Sequence, residues 1–432
     1  MNPSEGATNN NWRGFCDELF AQSKFGIELG LEPMREALAA EGHPERSSRA
    51  VLVAGTNGKG GTAAFIAGIL QAHGHRTGLY TSPHLIDLRE RFRVDGRPLD
   101  IDRVLPVGRD LLERFGEETS EGPRLTFFEL TTLMAARLFD QCGVDVAVYE
   151  VGLGGRLDAV NAIEPDLSVI TNVERDHTEY LGDEIADIAR EKCGILRQDV
   201  PAVVGHQRHV EALEAIESAV DASERRIYGR DFDLERVVDA FVESAVPETT
   251  LLNASAAYEA TQLLIGTQFS EVTALEGLSR TRWPGRFDRR TVASDTFGTE
   301  RSVEILFDSA HNPSAVEILF EQLGDWRSRI SAVVCGGMAD KELAEMFGHL
   351  RGGPPVWGAV MESDRSASPE ELAEAIPSDC LTTTSSTRES LSQAVREAAE
   401  EGGEVLVFGS TYLVGECFDV LGIAPETLVT YS

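Results

Sequence analysis

Short apolar segments that alternate with helical patterns constrain the fold of this chain more than any other feature of its sequence. Runs with the length and β-branched character of buried strands occupy residues 49–54, 77–80, 144–151, 167–171 and 201–204. Helical spacing of apolar residues fills residues 62–73, 126–141 and 183–196. Because strands that alternate with helices form βαβ units, this part of the chain predicts a mainly parallel sheet covered on both faces.

A second series of strands and helices begins near residue 303. Its predicted strands are 303–308, 331–335, 357–361 and 405–409, and its predicted helices are 315–323, 341–350, 369–375 and 388–400. Before this series, the polar residues 294–302 indicate a hinge or a hairpin, and within it the polar residues 382–387 indicate a short loop. We therefore place a domain boundary near residue 290, which divides the chain into residues 1–290 and residues 291–432.

A glycine-rich segment follows the first predicted strand and opens the next helix. It consists of Gly55, Thr56, Asn57, Gly58, Lys59, Gly60, Gly61 and Thr62. Glycines let backbone N–H groups face a phosphate, the helix N-terminus adds partial positive charge, and Lys59 can reach terminal phosphates. The register of strand, lysine and helix favours a phosphate-binding P-loop over a turn without a ligand. The expected fold is α/β: a P-loop-containing, mainly parallel sheet domain followed by a smaller Rossmann-like α/β domain.

The chain carries a net charge of −33, from 39 basic and 72 acidic residues. Such a field repels the phosphates of nucleic acids and anionic membranes, which argues against both as partners. An anionic substrate therefore needs a local pocket of positive charge. The acidic excess is typical of the solvated surface of a halophilic protein, with an ordinary acidic protein as the alternative.

The cysteine spacing and the N-terminal residues indicate in which cellular compartment the protein is found. Six cysteines are scattered without a CxxC pair, which indicates reduced thiols rather than a disulfide framework or a zinc site. No apolar run reaches the roughly 18 residues of a membrane span, and residues 1–13 lack the layout of a signal peptide. We therefore expect a cytoplasmic protein.

Lysine is rare in this chain. Only four of the 39 basic residues are lysines, namely Lys24, Lys59, Lys192 and Lys341. A lysine can lose its proton and act as a neutral amine, whereas an arginine stays charged. The remaining lysines are therefore candidates for chemistry that arginine cannot perform, and chance survival at the surface is the alternative.

Six sequence blocks occur in an order that is specific to one enzyme family. They are FGIELGLE at 25–32, TSPHL at 81–85, EVGLGGRLD at 150–158, WPGRF at 283–287, DSAHNP at 308–313 and GSTYLVGE at 409–416. The glycine-rich loop also differs in spacing from the common Walker pattern and is similar to the variant of the Mur ligase superfamily. Together these features resemble the folylpolyglutamate synthase/dihydrofolate synthase family, from about residue 18 to residue 418.

The resemblance implies an ATP-dependent ligase that forms an amide bond. ATP would phosphorylate a substrate carboxylate, and the amine of L-glutamate would attack the acyl phosphate and release phosphate. Dihydropteroate and reduced folates are the expected substrates, because residues 155–158 resemble those of bifunctional enzymes that use both. Without a protein nucleophile, catalysis would depend on positioning, metal ions and charge neutralisation. We expect ATP and Mg²⁺ as cofactors and a monomeric protein.

The resemblance also implies roles for individual residues. The expected magnesium ligands are Ser82, Glu150, His177 and Lys192, the last as a carbamate formed from carbon dioxide and the neutral amine. The expected nucleotide contacts, besides the loop 55–62, are Asn253, Arg286, Asp308 and His311. The expected substrate contacts are Ser82, Pro83, His84, Asp158, Lys341 and Ser410. Lys59, Lys192 and His311 would take part in catalysis. The alternatives are structural or surface roles, above all for His177, Lys341 and Ser410.

One position departs from the family pattern. Family members carry Ser or Thr two residues after the loop lysine, where the hydroxyl helps to bind magnesium, and here that position is Gly61. Thr62 follows, but on a helix its side chain would point elsewhere. One protein contact to the metal is therefore in doubt.

Two other functions remain open from the sequence. A different Mur-type ligase is disfavoured by the SPHL block and by the short segment, about 50 residues, that precedes the phosphate loop. A non-catalytic nucleotide-binding module is disfavoured because Glu150, His177, Lys192 and His311 are all present.

Overall fold

The computed structural model describes residues 3–22, 30–117, 123–219, 224–242 and 246–431. Residues 25–29 of the first sequence block and Lys24 lie outside these ranges. The chain forms two compact units. The first unit is Met1–Ser82, Leu88–Arg282 and Leu428–Ser432, and the second is Pro83–Asp87 and Trp283–Thr427.

The first unit contains a sheet with helices around it. Within the described ranges its strands are β1 (Arg49–Ala54), β2 (Thr77–Tyr80), β3 (Phe92–Val94), β4 (Arg97–Pro98), β5 (Val146–Glu150), β6 (Leu167–Ile170), β7 (Ala202–Val204) and β8 (Arg225–Ile227). Its helices are α1 (Pro3–Ala21), α2 (Glu32–Ala40), α3 (Lys59–Ala72), α4 (Ile101–Phe115), α5 (Phe127–Cys142), α6 (Thr178–Leu181), α7 (Ile185–Lys192), α8 (Val210–Ala219), α9 (Glu235–Val238), α10 (Glu248–Ile265) and α11 (Glu271–Arg280).

The strand order of this sheet places the glycine-rich loop between two other strand ends. The order is β4-β3-β2-β5-β1-β6-β7-β8, and every pairing from β2 to β8 is parallel. Val53 pairs with Glu150 of β5, and Ala54 pairs with Ile170 of β6. Since parallel strands end at the same edge, the segments after β1, β5 and β6 meet there, where ligands bind in open α/β sheets.

The second unit contains its own sheet. Within the described ranges its strands are β9 (Asp288–Val292), β10 (Val303–Asp308), β11 (Ile330–Cys335), β12 (Val356–Val360), β13 (Leu381–Ser386) and β14 (Glu404–Phe408). Their order is β13-β12-β11-β14-β10-β9, parallel except for β9. Its helices are α12 (Pro313–Leu323), α13 (Leu343–Phe347), α14 (Pro369–Ala375), α15 (Thr387–Glu401) and α16 (Thr411–Val420). The predicted α/β class, with two mainly parallel sheets, is confirmed.

The units divide before the boundary that we placed near residue 290. The division falls between Arg282 and Trp283, and residues 83–87 join the second unit. The reason lies in the turn before β9, where Ser309 donates from both its N and its Oγ to the carbonyl of Gly285, at 3.0 and 2.8 Å. These bonds attach the turn to the loop that follows β10.

Two sequence predictions in the second unit differ in outcome. The polar segment 294–302 connects the antiparallel strands β9 and β10, so it is the turn region of a hairpin. The prediction of a loop at 382–387 was wrong, because Leu381–Ser386 forms edge strand β13, paired with β12. Three consecutive threonines in this segment have β-branched side chains that fit a half-exposed edge strand, and polarity alone concealed it.

In the part of the chain that the structure describes, no helix combines the length and the apolar character needed to cross a membrane.

Candidate functional site

The glycine-rich loop connects β1 to α3 through backbone conformations that glycine allows. Gly58 has a φ of 80° and caps α3, which begins at Lys59. A Cβ at Gly58 would collide with the carboxamide of Asn253 from α10, so that predicted nucleotide contact lies against the loop. The ammonium of Lys59 donates to the carbonyl of Thr56 at 3.0 Å. The remaining loop residues, Gly60, Gly61 and Thr62, are buried in the first turn of α3.

The segment after β6 holds the loop from one side. Asn57 N donates to the Asn172 side-chain oxygen at 2.8 Å, and Thr56 N donates to the Asn172 carbonyl at 2.9 Å. The Thr171 hydroxyl donates to the carbonyl of Asn57 at 2.7 Å. The hydroxyl of Thr56 accepts from Glu174 N at 3.0 Å and donates to its carbonyl at 3.1 Å. These bonds fix the loop before any ligand binds.

Lys192 contacts the first residue of the loop. It is buried at the end of α7, and its Nζ donates to the carbonyl of Gly55 at 2.9 Å. Burial, reinforced by the nearby charge of Lys59, lowers the pKa of Lys192 to about 7, against the opposing effect of Asp176 and Asp158. A large part of the Lys192 amine is therefore neutral near pH 7, as a reaction with carbon dioxide requires.

Glu150 ends β5 beside the loop, with 5% of its surface exposed. Its Oε2 accepts from the backbone N–H of Ser82 at 2.8 Å. The strand pairing explains this contact, because Tyr80 of β2 lies opposite Tyr149 of β5. Two of the predicted metal ligands are therefore adjacent.

His177 and Asp176 follow the segment that holds the loop. His177 has a φ of 52°, and its backbone N–H donates to Asp176 Oδ1 at 2.9 Å. The imidazole Nε2 lies 3.9 Å from the same carboxylate. Among the described residues, no three His, Cys, Asp or Glu side chains form a preformed metal site. Magnesium keeps several waters and needs few protein ligands, so the oxygen donors of this region are compatible with it.

Asp158 is a buried carboxylate whose oxygens all accept bonds from the backbone. Oδ2 accepts from Gly152 N and Leu153 N at 3.0 and 2.9 Å, and Oδ1 accepts from Val160 N at 3.0 Å. Burial raises the pKa of Asp158 to about 6, although these amides and the charge of Lys59 lower it. The geometry gives Asp158 a part in shaping the 152–160 loop.

In the second unit, Arg286 and Asp308 lie close together. Asp308 Oδ2 accepts from Phe287 N and Oδ1 from Ala310 N, both at 2.8 Å. Burial raises the pKa of Asp308, and the positive charge of Arg286 opposes that rise. Phe287 has a φ of 46°, so the bond that its N–H donates to Asp308 holds a turn that a non-glycine residue rarely adopts.

The ring of His311 is oriented by the backbone of Ser309. Its Nδ1 lies 2.9 Å from the carbonyl of Ser309, and because a carbonyl can only accept, Nδ1 carries a proton. Asn312 then caps α12 by accepting from Ala315 N at 2.9 Å.

The predicted glutamate contacts, Lys341 and Ser410, follow neighbouring strands of the second sheet. Ser410 caps α16 by accepting from Tyr412 N at 3.1 Å, and only 2% of it is exposed. Lys341 follows β11, and its backbone N–H donates to the carbonyl of Met338 at 3.1 Å. The turns before these two residues are adjacent, since Gly336 N donates to the carbonyl of Phe408.

Within the first unit the structure thus brings together the phosphate loop, Asn253, Lys192, the Glu150–Ser82 pair and the residues that follow β6. Of the remaining predicted substrate residues, Pro83 and His84 belong to the second unit. Sequence reasoning did not identify Thr171, Asn172 and Glu174, which hold the loop. Their one signal was their position at the end of the predicted strand 167–171 or directly after it, just before His177.

Comparison with known proteins agrees with this arrangement. Residues 53–213 match the Mur ligase middle domain, and residues 286–411 match the Mur ligase, glutamate ligase domain. The dihydrofolate synthase/folylpolyglutamate synthase of Escherichia coli is 32% identical over 95% of this chain and 95% of its own length. The structure of E. coli FolC in complex with DHPP and ADP has a TM-score of 0.78 at 29% identity, covering 94% of this chain and 97% of that one.

A relative from Haloferax volcanii is longer than this chain. It is named a probable bifunctional folylpolyglutamate synthase/dihydropteroate synthase and is 34% identical over 92% of this chain. The chain spans about half of that relative, 49% of its length. The E. coli relative, by contrast, is covered almost from end to end. The chain therefore belongs to the dihydrofolate synthase/folylpolyglutamate synthase family of Mur ligases.

Proposed function

We propose that this protein is an ATP-dependent ligase that joins L-glutamate to dihydropteroate and to reduced folates through an acyl phosphate. The observation that carries the proposal is the buried Lys192 amine, with its pKa near 7, bonded to the phosphate loop. A non-catalytic nucleotide-binding module has no need of a neutral lysine at this place. The name of the E. coli relative, which includes both activities, supports a bifunctional enzyme.

The proposed nucleotide contacts in the first unit are the loop 55–62 and Asn253. The resemblance to the family adds Arg286, Asp308 and His311 as proposed nucleotide contacts. ATP supplies the phosphoryl group that activates the substrate carboxylate. The loop would offer backbone N–H groups, and Lys59 would exchange its bond to the Thr56 carbonyl for one to a phosphate oxygen. The E. coli structure that contains ADP supports this assignment.

The proposed magnesium ligands are Ser82, Glu150, His177 and carbamylated Lys192. The metal ion neutralises the charge that develops on the transferred phosphoryl group. Glu150 would bind it as an anion that is already oriented by the Ser82 amide. Carbon dioxide would add to the neutral Lys192 amine and release a proton. The side chain would then end in an anionic carbamate, whose oxygens can bind the metal.

The proposed substrate contacts are Ser82, Pro83, His84, Asp158, Lys341 and Ser410. Asp158 would act through the loop that it holds, because its oxygens are bonded to backbone amides. Lys341 would bind a carboxylate of the incoming glutamate by charge. Ser410 would do so at the N-terminus of α16, where partial positive charge favours anions.

We further propose a cytoplasmic monomer that does not depend on nucleic acid or membranes. None of the six cysteines, all of which lie in the described ranges, forms a disulfide, and four of them are buried, which supports a reducing compartment. The charge of −33 supports the absence of polyanionic partners.

Incubation with ATP, Mg²⁺, labelled glutamate and either dihydropteroate or tetrahydrofolate tests the function, with products identified by mass. We expect a product one glutamate heavier from each acceptor. Lys59→Ala should abolish ligation while its circular dichroism stays native, because the terminal phosphates lose their charge partner. Near-normal turnover by Lys59→Ala would refute the assignment of the phosphate loop, and no product from either acceptor would refute the ligase activity.

A further inference from the structure

In the segments that follow β6 and β7, the buried carboxylate of Glu174 is paired with the partly exposed imidazole of His209. Neither residue has a part in the roles proposed above. Glu174 Oε2 and His209 Nε2 are 2.8 Å apart, with 6% of the Glu174 side chain and 38% of the His209 side chain exposed. The other oxygen, Glu174 Oε1, is buried without a hydrogen-bond partner in the described part of the chain. The imidazole of His209 therefore stabilises a carboxylate that the protein otherwise leaves poorly satisfied.

The backbone of Glu174 is bonded directly to the loop. Its N–H and its carbonyl both bind the hydroxyl of Thr56, at 3.0 and 3.1 Å. Two residues earlier, the Asn172 side chain accepts from Asn57 N at 2.8 Å. A displacement of Glu174 would therefore be transmitted to Thr56 and, through the same segment, to Asn57.

The segment that carries Glu174 is also held from the side of β7. Gln207 accepts from Val173 N at 3.0 Å, and its Nε2 donates to the carbonyls of Thr171 and Gly205 at 3.2 and 3.0 Å. Gln207 and His209 thus belong to one segment that follows β7 and precedes α8. That segment is anchored in the sheet, because β7 pairs with β6.

We propose that Glu174 and His209 are positioning residues for the nucleotide, a role that rests on the proposed function of the loop. Their bond keeps residues 171–174 in place, and this segment keeps Thr56 and Asn57 in the conformation that receives phosphates. This role requires only the contacts between residues 171–174 and the loop, and neither Glu174 nor His209 needs to touch the nucleotide. If His209 is lost, the buried carboxylate must move toward water, and its backbone moves with it, because an unpaired buried charge is costly.

Removing the charge of Glu174 distinguishes this positioning role from a general loss of stability. Removing the histidine from a buried carboxylate leaves an uncompensated charge, whereas neutralising the carboxylate as well is far less harmful. His209→Ala should raise the dissociation constant of ADP at least about fivefold, and Glu174→Gln in the same chain should restore most of the affinity. Glu211→Gln, an exposed change of the same kind on α8, is the matched control and should leave the constant unchanged.

The measurement is ADP binding by titration calorimetry, well below the melting temperature of each variant. Thr56→Val provides a second route, because it removes both bonds to Glu174 while keeping the side-chain volume, and it should also weaken ADP binding. The proposal is overturned if His209→Ala binds ADP with wild-type affinity. If that variant does not fold, wild-type affinity in Thr56→Val overturns it instead. It is also overturned if the double variant His209→Ala/Glu174→Gln binds ADP more weakly than His209→Ala alone. A wild-type protein that binds no ADP would instead refute the proposed function.

Discussion

The amine of Lys192 is buried beside the phosphate loop, where it donates to the carbonyl of Gly55. A solvated helical lysine would have neither this bond nor a pKa lowered to about 7. Arginine could also donate a hydrogen bond, but it cannot become neutral near pH 7. In a chain with four lysines among 39 basic residues, the retention of a lysine here points to the chemistry of the amine.

Lys192→Ala should be nearly inactive, because it removes the proposed anionic ligand of the metal. Acetate or formate should partly restore ligation by occupying the vacated space with a carboxylate, and the initial rate of product formation against acid concentration measures this rescue. Lys192→Arg should stay inactive and should not be rescued, since a permanent guanidinium repels the neighbouring metal. Full activity of Lys192→Arg would refute the carbamate.

The same lysine predicts how stability depends on pH. The folded-state pKa of Lys192 is about 7 and the ordinary value is 10.5, so between these values the unfolded chain binds more protons than the folded chain. The free energy of unfolding contributed by this residue therefore rises with pH across that window and is smallest below it.

Lys192→Met should lack this contribution. Urea denaturation in carbon dioxide-free buffer should give a difference in unfolding free energy, wild type minus variant, that increases between about pH 7 and about pH 9. Both proteins share every other titrating group, so the difference isolates Lys192. A difference that stays constant with pH would show that the amine is charged in the folded protein.

At the scale of elements, the residues in the first turn of α3 determine which side chains of the loop are available to bind a metal ion. Gly61 offers no side chain, and Thr62 is 0% exposed, with its hydroxyl buried and unpaired in the part of the chain that the structure describes. Thr62 N donates to the carbonyl of Gly58, which fixes the residue within the helix. We therefore predict that Thr62 does not replace the hydroxyl that position 61 lacks.

Gly61→Ser should lower the half-saturating magnesium concentration severalfold, since one added contact contributes roughly 0.5–1.5 kcal/mol. Thr62→Val should leave the magnesium requirement unchanged and should be neutral or slightly stabilising, because it removes an unpaired buried hydroxyl. Titration of magnesium in the ligation assay, with thermal melting of each variant, checks both effects. A higher magnesium requirement in Thr62→Val would mean that α3 begins differently when the nucleotide is bound.

The sequence predicted elements with a clear apolar pattern better than elements without one. Strand β1 was predicted at its observed bounds, because its apolar run ends at a glycine. Helix α5 was predicted one residue off, and Thr126 and Glu129 form a capping box that defines its start. Helices α10 and α11 were not predicted. α10 is buried along most of its length and rich in Ala, Ser and Thr, which leaves no clear apolar stripe.

Some features of the candidate site were likewise predictable from the sequence, and others were not. Motifs located the loop, Glu150, Lys192 and the residues around Asp308, because glycine-rich turns, carboxylates at strand ends and rare lysines are visible in a sequence. The bonds that hold the loop were not predictable from these patterns. They depend on the register between β1 and β6, which brings Thr171 and Asn172 against the loop, and only the folded sheet defines that register.

At the scale of the whole molecule, acidic residues far outnumber basic residues. The chain carries 72 acidic and 39 basic residues. Many of its ion pairs lie at the surface, such as Arg190–Asp187 and Arg365–Asp340, where the gain per pair is small. Mutual repulsion among the excess carboxylates is therefore expected to oppose the compact state, and it acts over a distance set by ionic strength.

If the acidic excess is an adaptation to salt, the melting temperature should rise from low to molar potassium chloride at pH 7. The reason is that the screening length falls from about 10 Å at 0.1 M to about 3 Å at 1 M, which removes much of the repulsion. Calorimetric melting at matched pH measures the effect. The isoelectric point near 4.6 supplies the control, because with little net charge the same salt should change the melting temperature far less. A melting temperature that is flat or falling at pH 7 would contradict the halophilic interpretation and leave the proposed ligase activity untouched.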